Sequence, residues 1–143
     1  MKRINYSLEY VIDRYLLKND FNYTIIANVF SEENAPTMLG YKNTMDNEEI
    51  KVAIVNADQE KLSLFFINNV TYKLVNHKKV EIFYKDIVKI KICKINLGLR
   101  TKMVIYTKLD VVVLDYGHTF IGYKDYVENK KNFQNFMKEK FIK

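Results

Sequence analysis

Side chains that could perform acid–base or nucleophilic chemistry are few in this chain. His77 and His118 are its only histidines, and Cys93 is its only cysteine. Asp115 lies close enough to His118 along the chain for the two to pair as an orienting carboxylate and a general base. No serine or cysteine nucleophile accompanies them in a recognisable motif, so both histidines are interpreted as surface residues.

Paired acids and phosphate-binding motifs are equally weak. Glu32-Glu33 and Glu48-Glu49 fall in polar segments, where such pairs are more often solvated than arranged as acid and base. The chain has no glycine-rich phosphate loop and no ligand spacing typical of a metal site. We therefore predict no enzyme activity, no cofactor and no metal. A hydrolase or phosphotransferase with an unrecognised site is the alternative.

The cleanest pattern lies in residues 88–93, where apolar and basic residues alternate. In a β-strand, Val88, Ile90 and Ile92 would face inward. Lys89 and Lys91 would face outward, because successive side chains of a strand point to opposite sides of the sheet. The pattern predicts a strand with one buried and one basic face.

Basic residues are concentrated around this strand. Residues 73–108 hold ten lysines and arginines against two acids, in a chain of net charge +6. Lys102 would also face outward if Met103 and Ile105 point inward. The predicted patch could bind an anionic lipid surface, nucleic-acid phosphate or an acidic protein. It could also be a solvated face that protects a sheet edge. Its candidate residues are Lys85, Lys89, Lys91 and Lys102.

Short strands would position these residues. Between residues 37 and 116, apolar runs of strand length alternate with turn-forming residues, which predicts about seven strands. The turns are predicted at residues 46–49, 57–60, 68–69, 77–78, 97–98 and 108–110. Residues 122–142 follow as an amphipathic helix with Tyr126, Val127, Phe133 and Met137 on its apolar stripe. Lys130 lies within the stripe and would extend its ammonium to water. Phe136 lies off the stripe, exposed or against another subunit.

The N-terminal segment has a different period. Apolar residues between positions 8 and 16 recur at helical spacing, whereas residues 21–30 fit a helix or a strand. Pro36 favours a loop before it, so we divide the chain into a helical extension, 1–35, and a second unit, 36–143. The N-terminal helix would pack on the same domain or bind a partner.

Composition limits the classes of protein. The chain has 143 residues, of which 48% are hydrophobic and 28% are charged, as in a globular protein with one core. One cysteine excludes an intramolecular disulfide. Acidic residues interrupt the N-terminal segment, so no signal-peptide core is expected. No apolar run approaches the roughly 20 residues needed to span a bilayer. We therefore expect a cytoplasmic protein.

Residues 37–143 resemble the bacterial pleckstrin-homology-like (PH-like) domains. The resemblance rests on the series of short strands, the Phe-Tyr-Lys-Asp-Ile-Val motif at residues 83–88, a glycine-containing bend and the final helix. It implies a mainly β (α+β) fold, a seven-stranded antiparallel sandwich or barrel capped by the C-terminal helix. The N-terminal helix would be an addition to that fold.

The resemblance implies a binding or scaffold module rather than an enzyme. In members that bind phosphoinositides, basic residues occupy the first hairpin, whereas here residues 46–49 are acidic. Some bacterial members assemble through exposed strand edges. We therefore predict a non-enzymatic domain that acts through an unknown protein partner or as a homo-oligomer. The alternative is a peripheral binder of an anionic surface, weak membrane-lipid or nucleic-acid binding through the basic sheet face, without a small-molecule cofactor.

Overall fold

The residues that the structure describes form one antiparallel sheet followed by one helix. The computed structural model describes residues 23–33, 35–36, 51–67, 74–120 and 125–142. These residues confirm the mainly β fold with a C-terminal helix. The strands are β1 (Thr24–Ser31), β2 (Lys51–Ala57), β3 (Lys61–Ile67), β4 (Leu74–Phe83), β5 (Ile87–Ile95), β6 (Arg100–Thr107) and β7 (Val111–Gly117), and the helix is α1 (Tyr126–Phe141).

The sheet consists of two meanders joined at β1. Its strand order is β4-β3-β2-β1-β7-β6-β5, with β1 antiparallel to both β2 and β7. The segment 21–30, left open between helix and strand, thus contains a central strand. The division of the chain at residue 36 stays a prediction, although β1 lies on its N-terminal side. The predicted helix at 8–16, the strand at 37–45 and the turns at 46–49 and 68–69 lie outside the described residues.

A short connection between the two edge strands makes the sheet curl. β4 and β5 lie at opposite ends of the strand order, yet only the 3₁₀ turn Tyr84–Asp86 joins them. Seven flat strands would be about 29 Å across, whereas this connection spans at most about 14 Å. The sheet therefore bends until its edges approach each other, which creates a concave inner face and a convex outer face.

The inner face and α1 form the main core. Because alternate residues share a face, the strand register brings many fully buried side chains onto this side. Tyr126, Phe133 and Met137 of α1 pack among them, and the Tyr126 hydroxyl donates a hydrogen bond to the Ile26 carbonyl, 3.2 Å away. Ile25, Val55, Leu64, Met103, Ile105, Leu114 and Tyr116 represent the sheet in this core.

Two strand irregularities overturn sequence predictions. The predicted turn at residues 77–78 is wrong, because β4 continues through it. The register of β3 and β4 instead shifts there, between Phe65 and Ile67 of β3. Val88 was predicted to face inward but is 64% exposed. A second register shift, between Ile87 and Lys89, explains this, since a bulge inserts an unpaired residue and changes which side chains face the core.

The turns at residues 57–60, 97–98 and 108–110 are confirmed. In the first, the Asp58 carboxylate accepts hydrogen bonds from the backbone N–H groups of Glu60 and Lys61, at 2.7 and 2.9 Å. In the second, Asn96, Leu97 and Gly98 have φ values of 48°, 57° and 87°. Leu97 is thus held in the left-handed region, which costs a branched residue about 1–2 kcal/mol, and its side chain is exposed.

The helix differs from its predicted apolar stripe at three positions. Val127 is 42% exposed, whereas Lys130 is buried. Phe136 was predicted to be exposed or to contact another subunit. It is half-buried, and its ring lies 5.5 Å from that of Tyr23 and 5.9 Å from that of Tyr84. The curled sheet surrounds more of the helix than a flat sheet would, so residues beside the stripe also become buried.

Truncation of Phe133 should show how much α1 contributes to the fold. Phe133→Ala is expected to lower the free energy of unfolding by about 3–5 kcal/mol, because a fully buried aromatic side chain leaves a cavity. Val127→Ala, on the exposed side of the same helix, should change it by less than about 0.5 kcal/mol. Urea denaturation measures both. Similar losses in the two variants would contradict the described packing of α1.

Candidate anion-binding surface

The predicted basic patch is centred on a tyrosine. In the β5–β6 register, Lys89 pairs with Tyr106, Lys91 with Val104 and Cys93 with Lys102. The Nζ atoms of Lys89 and Lys91 lie 4.8 and 5.7 Å from the centroid of the Tyr106 ring. Both lysines are exposed, and their cation–π contacts place the two ammonium groups beside the same ring.

The other two predicted residues are placed differently. Met103 and Ile105 are fully buried on the inner face, which puts Lys102 on the outer face as predicted. Its Nζ donates a hydrogen bond to the Pro36 carbonyl, 3.2 Å away, so Lys102 is partly engaged. Lys85 lies in the turn before β5, 5.8 Å from the Phe83 ring. The sequence therefore predicted the outward lysines but not Tyr106. Its place on the same face could have been inferred, because Tyr106 follows Lys102 on β6 at an even spacing.

Apolar side chains border the two lysines on the outer face. Phe30, Ala35, Val104 and Val113 form a second buried cluster, with Tyr106 and Val111 packed against it. Exposed Val88 lies beside Lys89 at the bulge. The outer face of β5, β6 and β7 is thus a basic rim on an apolar surface rather than a uniformly solvated face.

β5 is also an edge strand, with lysines along its length. Lys89, Lys91 and Lys94 are exposed, and the bulge lies at its start. Charged side chains and bulges are devices that prevent an edge from pairing with another strand. The positive charge of this edge therefore disfavours its pairing with the same edge of a second copy.

Asp115 joins three strands on the outer face. This fully buried carboxylate accepts hydrogen bonds from Arg100 Nε at 2.6 Å and from Asn28 Nδ2 at 3.0 Å. His118 instead contacts Lys130, with 2.8 Å between Nδ1 and Nζ. Each residue of the suggested Asp115–His118 pair thus has a different partner, and Asp115 is fixed by strand-to-strand contacts.

A second basic cluster lies where β5, β6 and β7 approach α1. His118 follows β7, and Lys130 belongs to α1. Lys94 of β5 donates a hydrogen bond from Nζ to Thr101 Oγ1, 3.2 Å away. Lys130 was predicted to extend to water, but its side chain is buried and directed at the imidazole. Its position inside an apolar stripe was the only sequence signal for this cluster.

Electrostatics in the second cluster oppose further protonation. Proximity to Lys130, together with burial and Lys94, lowers the pKa of His118. Burial, followed by the charges of Lys94 and Lys131, lowers the pKa of Lys130. Because a lysine ammonium can only donate, His118 Nδ1 must accept, so the imidazole proton lies on Nε2. The exposed imidazole thus retains an N–H donor for another ligand.

A cleft of about 410 Å³ lies between β4 and the β6–β7 turn. Two of its three acids, Glu81 and Asp86, have basic partners, and Asp110 is the third. Glu81 contacts Lys61 and Lys79 at 2.8 and 3.1 Å, and Asp86 lies 3.8 Å from Lys108. The contacts with these lysines lower the pKa of Glu81. The cleft is therefore less suited to binding a cation than its acid content suggests.

Comparison of the chain with protein-family models, curated proteins and solved structures finds no match. Among the described residues, no three histidine, cysteine, aspartate or glutamate side chains are grouped as metal ligands would be. None of the helices in that part of the chain is long and apolar enough to cross a membrane. Cys93 is exposed with a free thiol.

Acidification should destabilise the fold through His118. Since its folded-state pKa is lowered from the ordinary 6.5, the unfolded chain takes up the proton first as the pH falls. The free energy of unfolding should therefore decrease below about pH 6.5 until the folded imidazole is also protonated. Urea denaturation at pH 7.5 and 5.5 should show a smaller decrease in His118→Asn. An identical decrease would contradict the repulsion from Lys94 and Lys130.

Removal of the Asp115 carboxylate should weaken the contact between the meanders. Asp115→Ala is expected to lower the free energy of unfolding by about 1.5–3 kcal/mol, because it leaves Arg100 and Asn28 without their shared charged acceptor. Asp86→Ala breaks only an exposed ion pair with Lys108 and should cost less than about 1 kcal/mol. Chemical denaturation measures both, and equal losses would argue against a special role for Asp115.

Proposed function

We propose that this protein is a non-enzymatic PH-like binding domain that docks on an anionic membrane surface. The outer face of β5 and β6 would make the contact. The position of Lys89 and Lys91 beside Tyr106 carries the proposal, because it puts two exposed ammonium groups next to apolar side chains. Cytoplasmic leaflets carry the anionic lipids that such a surface would meet.

The same geometry favours lipid over nucleic acid. Proteins that bind single-stranded nucleic acids use free aromatic faces for base stacking, but the Tyr106 ring already contacts two ammonium groups. Val88, 64% exposed beside Lys89, adds apolar surface that phosphate backbones do not need. A basic rim with an apolar neighbour is better suited to the boundary between headgroups and acyl chains.

Self-association is a second candidate, favoured by the open edges of the sheet. The nine residues of β5 form one edge, and exposed edges can pair with another chain. The lysines of β5 oppose such pairing between identical copies, so we rank this function second. Sedimentation velocity over a wide concentration range tests it, and a strict monomer would exclude it.

Charge reversal on β5 tests membrane docking. Lys89→Glu with Lys91→Glu should abolish sedimentation with vesicles containing phosphatidylserine at low salt. Each lysine near an anionic surface is worth about 1 kcal/mol, and reversal also adds repulsion. We expect at least a roughly 30-fold loss of affinity. Wild-type binding should weaken as salt rises and should be absent with neutral vesicles.

The control variant places the same charge change elsewhere. Lys51→Glu with Lys138→Glu alters two exposed lysines on β2 and α1 and should retain most of the binding. Equal losses in the two variants would mean that net charge, not the Tyr106-centred face, attracts the protein. Binding of a nucleic acid but not of vesicles would transfer the function to that ligand.

A further inference from the structure

The second basic cluster contains Lys130, a largely buried lysine that has no carboxylate partner among the described residues. Lys130 is only 8% exposed, and its ammonium contacts His118 Nδ1. Among the residues that the structure describes, the ion pairs between lysine or arginine and a carboxylate involve Lys61, Lys79, Arg100 and Lys108. Lys94 and Lys130 are not among them.

Such an arrangement opposes folding. A buried ammonium loses hydration that one neutral imidazole replaces only in part, and Lys94 lies close enough to repel it. Methionine would fill the same space in an apolar helix stripe without this cost. An anion between these groups would offset both the lost hydration and the repulsion.

The cluster brings together donors from β5, from α1 and from the segment that follows β7. Register places Lys94 opposite Thr101 and Thr101 opposite Tyr116, on the inner side of the sheet. On α1, Gln134 follows Lys130 by one helical turn and accepts a hydrogen bond from the Tyr116 hydroxyl at 2.8 Å. The amide therefore holds this part of α1 against the strand that leads to His118, which keeps the donors together.

We infer that Lys94, His118 and Lys130 form a binding site for a phosphate group. Two ammonium groups match the charge of a phosphate monoester, whose several oxygens can accept from both lysines. The His118 imidazole would orient the Lys130 ammonium through Nδ1. A carboxylate offers fewer acceptors and one charge. The ligand would be free phosphate, a soluble phosphomonoester or a lipid headgroup of the same chemistry.

The site is independent of the membrane-docking face. Lys89 and Lys91 lie on the outer face, whereas Lys94 bonds to Thr101, which is 3% exposed and on the inner side. Failure of one proposal therefore does not contradict the other.

Inorganic phosphate is the first probe. Isothermal titration with phosphate at constant ionic strength should give saturable binding to the full chain. Lys130→Met should weaken it at least about tenfold, the loss expected for one charge-assisted hydrogen bond. Lys138→Met, at an exposed position of α1, should bind like the wild type. No saturable binding by the wild type, or equal binding by Lys130→Met, would overturn the proposal.

Proton NMR of the imidazole gives a second readout. Phosphate should raise the pKa of His118, because an anion offsets the repulsion from Lys94 and Lys130. The shift should disappear in Lys130→Met, whose thermal stability without phosphate should equal or exceed that of the wild type. A His118 titration indifferent to phosphate would place any bound anion elsewhere and contradict the site.

Vesicles then separate the two sources of phosphate. Phosphatidic acid carries a phosphomonoester, whereas phosphatidylserine does not, so vesicles of equal charge are compared. A preference for phosphatidic acid that Lys130→Met removes would identify a lipid headgroup. Equal binding to both vesicles, together with phosphate binding in solution, would support a soluble phosphate ligand.

Discussion

The shape of this protein depends on a three-residue connection between the two edges of its sheet. The turn Tyr84–Asp86 is held at both sides, because Tyr84 N donates to the Glu60 carbonyl and Lys108 N to the Asp86 carbonyl, at 2.9 and 3.0 Å. The Tyr84 hydroxyl also donates to the Asp58 carbonyl at 2.7 Å, and its ring contacts Phe141 of the helix. Burial of this phenol raises its pKa. The curl, the core and the helix position are thus linked at one residue.

Alternation along β5 places lysines that are neighbours in sequence on opposite faces of the sheet. On β5, alternation assigns Lys89 and Lys91 to the convex side and Lys94 to the concave side. The bulge between Ile87 and Lys89 sets this assignment, because a regular strand starting at Ile87 would have placed Lys89 inward with it. One strand can thereby supply an exposed basic surface and a polar donor beside the helix.

Local patterns predicted the elements whose partners lie nearby. The alternation in residues 88–93 and buried Met103 and Ile105 located the outward lysines, and turn-forming residues located the bends at residues 97–98 and 108–110. Long-range pairing decided the rest. The choice of strand for residues 24–31 depends on β7, far along the chain. The exposure of Val88 follows from register with β6, which a single strand does not reveal.

The candidate sites follow the same division. Lys85, Lys89, Lys91 and Lys102 stand out in the sequence as charges. The pairing of β5 with β6 then brings only Lys89 and Lys91 to Tyr106. The sequence predicts that Lys130 is a helix lysine whose ammonium reaches water. Its partner, the imidazole of His118, lies just after β7. The packing of α1 on the sheet brings the two side chains together. Sequence patterns therefore identified the charges, whereas the fold determined which of them act together.

The position of β1 has a consequence for how the chain folds. Asn28 and Asp115 meet across the β1–β7 pairing although 87 positions separate them, so this seam closes one of the longest loops in the molecule, at a cost in chain entropy. Each meander can form from neighbouring residues before that. At synthesis rates of about 5–20 residues per second, β7 is synthesised roughly 4–17 s after β1. During that interval the edge of β1 that pairs with β7 in the native fold is exposed. Only the strands already synthesised can then protect the nascent chain from aggregation.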